Sequence, residues 1–96
     1  MHRALLERRI RDVHTRLVRA REDLAVLDEQ LAVVMESADE ARVRSLVAET
    51  PLAAHEHSEA ARHADAMAKA RAALAGTVID LEHRQDELLA DVASAS

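Results

Sequence analysis

The sequence predicts an all-α fold, an antiparallel helical hairpin or coiled coil of two long helices that assembles into a dimeric four-helix bundle. Three observations predict it. Ala, Leu, Glu and Arg dominate a 96-residue chain with a single glycine (Gly76) and a single proline (Pro51), which is the composition of long helices. Apolar residues recur at alternating steps of three and four in both halves of the chain, the spacing of a left-handed coiled-coil stripe. Arginines crowd the opening while acids crowd the close, so the two ends attract when the chain folds back.

The first helix is expected over about residues 3–36. Leu6, Ile10, Val13, Leu17, Ala20, Leu24, Leu27, Leu31 and Val34 form its stripe. Opposite lie Arg8, Arg9, Arg11, Arg16 and Arg19, and Glu7–Arg11, Asp12–Arg16 and Arg19–Asp23 are spaced to pair one turn apart.

Residues 36–50 admit two readings. Ser37-Ala-Asp-Glu40 has the form of a capping box, which starts a short middle helix over 38–49 with Val43, Leu46 and Val47 apolar. The same stretch contains no glycine or proline, so the first helix can equally run on to Glu49.

Thr50-Pro51 starts the last helix, Thr as N-cap and Pro at the first helical position. It is expected over about 51–93, with the stripe Leu74, Val78, Leu81, Gln85, Leu88 and Val92. Backwards from Leu74 the stripe thins to Arg71, Met67, Ala64 and Ala60. Gly76 costs roughly 1 kcal/mol against Ala in a helix and is read as a slight bend or a close helix approach. The whole chain, 1–96, is read as one helical domain.

Charge sets the expected direction of packing. Residues 1–21 hold seven arginines against Glu7 and Asp12, a net +5, and residues 80–91 hold five acids against Arg84, a net −4. A parallel, in-register homodimer would stack the positive segment on itself. Antiparallel packing about Pro51 joins it to the negative one.

A hairpin alone does not bury everything apolar here. Between Leu24 and Met35 the apolar set exceeds one stripe, and the alanine-rich stripe facing it leaves Val26 and Val33 wet. Burying one such side chain is worth about 1.5–3 kcal/mol, so the 38–49 segment, a second copy of the chain or a protein partner is expected to cover them, a second copy first.

Composition also excludes function classes. The chain has no cysteine, hence no disulfide, thiolate nucleophile or Cys-based zinc site. It has no aromatic residue on which to stack a base, and acids lie beside its arginines, so nucleic acid is not the expected partner. No glycine-rich phosphate loop or Ser/His/Asp arrangement is present, so a non-enzymatic protein with no cofactor is expected. No run approaches the ~20 apolar residues of a membrane span, and no signal-peptide pattern opens the chain. A cytoplasmic protein is expected, and twelve arginines against one lysine suit a high-GC bacterial genome.

Three candidate sites remain. His55, Glu59 and His63 stand one turn apart on a helix, a ridge of ligand types that suit Zn or Ni, or a pH-responsive module. A closed zinc site takes four ligands, however. Residues 22–40 carry seven acids and no base. With Val26, Val33 and Met35 as apolar anchors, Asp28, Glu29 and Glu36 as charged neighbours, and Val43 and Leu46 beyond, they read as a docking face for a basic protein surface. Arg71 and Gln85 are polar positions on the stripe. Antiparallel folding brings Arg71 near Asp28, a pair able to fix register.

Overall fold

The computed structural model describes residues 2–95. Among them are two α-helices, His2–Ala48 (α1) and Pro51–Ala95 (α2), and no strand. No helix among these residues is long and apolar enough to cross a membrane.

The separate middle helix over 38–49 does not form. α1 passes unbroken through Ser37, so the Ser37–Glu40 capping box starts no helix. The physical reason is that the stripe does not stop at Val34. Ala38, Ala41 and Ser45 continue its steps of four and three, and all three are sheltered while their neighbours are exposed. Ending the helix at Ser37 would forfeit that packing.

The turn is two residues long and each contributes a cap. Glu49 adopts a left-handed backbone, φ 51°, and its N–H donates to the Ser45 carbonyl at 3.2 Å, closing α1 in an αL motif. Thr50 then caps α2 as expected. Its Oγ1 accepts from the Ala53 N–H at 3.1 Å, and its carbonyl accepts from the Ala54 N–H at 3.0 Å.

The chain divides into two compact units. The first pairs α1 up to Leu24 with α2 from Ala73 onward. Leu17, Ala20 and Val78 form its buried cluster, with Leu24, Leu74 and Leu81 packed against them. The two-residue connection between α1 and α2 makes their packing here antiparallel. Val13 and Leu88 are buried as well, and Leu6, Ile10, Gln85 and Val92 are half-buried. One ion pair crosses between the helices here, Arg21 to Glu82 at 3.3 Å.

Some local expectations fail in this unit. Glu7 pairs with Arg3, not Arg11, and the Asp12–Arg16 and Arg19–Asp23 pairs are not made. Among the described residues Arg8, Arg9, Arg11, Arg16 and Arg19 enter no ion pair. The opening is thus not neutralised by a lattice of bridges, because long exposed side chains gain little by holding one geometry. Gly76 marks no close approach either: a Cβ built there meets nothing within 4 Å.

The second unit, residues 25–72, is the hairpin around the turn. Its α1 stripe begins with Leu27, Leu31 and Val34 and ends with Ala38, Ala41 and Ser45. Its α2 stripe reads Ala53, His57, Ala60, Ala64, Met67 and Arg71. Small side chains therefore line the packed side of this unit near the turn, and only Ala41 and Ala53 are fully buried.

Candidate interaction surface

A helix that packs on alanine leaves its larger side chains elsewhere. In the second unit Val26, Val33 and Val47 are 53%, 64% and 80% exposed, and Met35, Val43, Leu46 and Leu52 are exposed too. Val26, Val33, Val43 and Val47, with Glu29, Glu36 and Glu40 between them, recur at steps of three and four. Taken together they lie about 150° around α1 from the packed stripe, since at 3.6 residues per turn each step along the chain turns about 100°. α1 is thus apolar on two sides in this unit, one facing α2 and one facing water.

Met35 and Leu46 sit apart from that outer stripe. Met35 borders an open groove floored by Ala38, Ala61, Ala64 and Ala68 and edged by Asp39, Arg42 and Asp65. Near the turn, Val43, Val47 and Leu52 flank a second open groove with Arg44 and Glu56. In the first unit a third groove runs between Arg16, Arg19 and Asp23 on one side and Leu74, Thr77 and Leu81 on the other.

The eight residues expected to bind a partner therefore do not form one patch. Val26, Glu29, Val33, Glu36 and Val43 share the outer stripe of α1. Met35 and Leu46 lie around the helix from it. Asp28 is already engaged: its Oδ1 accepts from Arg71 Nε at 2.7 Å. That hydrogen bond, and secondly the charge of Asp28, raise the Arg71 pKa above its ordinary value. Both side chains remain nearly half exposed, so the pair orients more than it stabilises. Gln85, half-buried in the first unit, makes no side-chain hydrogen bond among the described residues.

The acids differ by face. Asp28 and Asp39 are paired with Arg71 and Arg42, whereas Glu29, Glu36 and Glu40 on the outer stripe enter no ion pair among the described residues.

His55, Glu59 and His63 are all exposed, and Glu59 is held by Arg62 at 2.9 Å. Among the described residues no three His, Asp or Glu side chains are arranged to hold a metal ion. The histidine that the structure does shelter is His57, on the α2 stripe, with a buried Nδ1 that has no hydrogen-bond partner. Its signal in the sequence is the 3–4 spacing back from Ala60.

No protein-family model matches the chain, and comparison with curated proteins and with solved structures likewise returns no match.

Proposed function

We propose that this chain is a non-enzymatic helical interaction module, a small adaptor or regulator that forms a homodimer of four helices and binds a larger protein through its helical faces. One observation carries the reading. Near the turn the hairpin unit packs on small side chains, while across the unit Val26, Val33, Met35, Val43, Leu46, Val47 and Leu52 are exposed. Burying such a side chain completely is worth about 1.5–3 kcal/mol, and covering the exposed part of each of these stabilises in proportion. The unpaired glutamates beside the valines supply the charged border typical of protein interfaces.

Sedimentation velocity over a concentration series tests the self-association. The reading expects a dimer at micromolar concentration. A strict monomer that also retrieves no partner in affinity purification and cross-linking from its host would refute it.

A further inference from the structure

The hairpin unit sorts the acids of α1 by face. Asp28 and Asp39, on one flank of the helix, are taken up by Arg71 and Arg42. The other acids of α1 in this unit are Glu29, Glu36 and Glu40, which enter no ion pair among the described residues. All three stand on the outer stripe among the exposed valines. Val26, Val33, Glu40 and Val47 are seven apart, and Glu29, Glu36 and Val43 follow three behind. Those are the two seam positions of a coiled-coil heptad. The row is about six turns, or 32 Å, long and lies wholly within this unit. Its one neighbouring base is Arg44, a turn from Glu40 at the edge of the row and not paired with it.

We propose that this stripe docks a basic amphipathic helix of a partner protein. Lysines or arginines of that helix lie against Glu29, Glu36 and Glu40, and its apolar side chains lie against Val26, Val33, Val43 and Val47. The proposal rests on the interaction-module reading above and assigns the face and chemistry of the partner contact. The three glutamates decide the occupant. An apolar helix would strip their water and offer no counter-charge, a loss that the valines do not offset. A second copy fares little better. Laid parallel, it sets each glutamate against itself. Laid antiparallel over the same stretch, it puts Glu36 beside its own copy and Glu40 on Val33, with only Arg44 brought toward Glu29. A basic helix meets every charge with its opposite, which selects partner and orientation, and the aliphatic stems of its lysines or arginines extend the apolar contact.

The test is fluorescence anisotropy of the full chain with two labelled, alanine-rich helical peptides of about six turns. Both carry leucine opposite the four valines. One carries lysine opposite the three glutamates and the other carries glutamate there, and each is made with the pattern running in either direction. The wild-type chain should bind the lysine peptide at least about tenfold more tightly than the glutamate peptide. Glu29→Lys, Glu36→Lys and Glu40→Lys together should invert that preference. Val33→Ser with Val43→Ser, which leaves the charge unchanged, should weaken the lysine peptide about tenfold. Asp80→Lys, Asp86→Lys and Asp91→Lys together make the same change in net charge at exposed positions of α2 and should leave binding nearly unchanged. Circular dichroism checks that each variant stays helical. Equal losses from the two lysine triples would mean attraction to net charge alone and overturn the proposal. So would serine variants that bind as well as wild type. Serine variants that abolish self-association of a dimeric wild type would overturn it in favour of a second copy. A wild-type chain that prefers neither peptide, yet dimerises or retrieves a host protein, would overturn this proposal and leave the interaction-module reading standing. One that also fails both of those would remove that reading with it.

Discussion

Arg71 and Asp28 meet across the hairpin unit, guanidinium nitrogen to carboxylate oxygen at 2.7 Å, although 43 positions separate them in sequence. Arg71 occupies a stripe position where an apolar residue would pack, so the chain accepts a polar layer between Met67 and Leu74. The pair ties one level of α1 to one level of α2. Replacing Arg71 with Leu should keep or raise the melting temperature while releasing the register. Amide spectra of residues 25–72 should then show more than one set of signals. A single set, with unchanged oligomeric state, would mean the alanine packing alone fixes the alignment.

The turn carries one strained residue and one cap. Glu49 sits at φ 51°, a conformation that costs a non-glycine residue about 1–2 kcal/mol. Glu49→Gly should therefore stabilise the chain by roughly 1 kcal/mol, less the added chain entropy of glycine. Thr50→Ala removes the bond to the Ala53 N–H and should cost about 0.5–2 kcal/mol. Thermal melts of the two variants should shift in opposite directions.

Adjacent leucines test the packed face of the first unit. Leu88 is 1% exposed and Leu89 is 50% exposed. Leu88→Ala should cost about 2–5 kcal/mol through lost contacts and a cavity. Leu89→Ala should stay close to the ±0.5 kcal/mol of an ordinary surface change. Equal losses in denaturant unfolding would show that the stripe is assigned to the wrong side of α2.

Gly76 lies within α2 with open space where a side chain would stand. Gly76→Ala should therefore gain helix propensity of about 1 kcal/mol. For a chain of this size that corresponds to a rise of about 4–8 °C in melting temperature. A fall would reveal a contact that needs the glycine.

Much of this arrangement is legible in the sequence because its information lies in spacing. Leu6 to Val34 and Leu74 to Val92 could be read directly, since large apolar residues mark every step but Ala20 and Gln85. Thr50-Pro51 announced a helix start through cap chemistry, and the Arg71–Asp28 contact followed from antiparallel counting. The stripe was lost beyond Val34 because Ala38, Ala41 and Ser45 are small. The larger Val43, Leu46 and Val47 drew attention to a helix that does not exist separately. Expectations about surface ion pairs failed for a different reason. An exposed pair gains little over its two partners separately solvated, so spacing alone does not decide which pairs form. The exposed apolar side chains were legible as excess hydrophobicity, but their division between two sides of α1 appears only once the packed side is known.

Each chain doubles back at Glu49-Thr50 and packs its opening on its own close. Because the chain has no cysteine, Ala20→Cys with Val78→Cys places two unique thiols in one buried cluster. A short thiol-reactive cross-linker, applied to a mixture of isotope-labelled and unlabelled chains, separates bridges within one chain from bridges between chains by mass. The fold described here gives bridges within single chains, with no mixed-label product. Predominantly mixed-label bridges, or none at all, would show that the helices do not close on themselves.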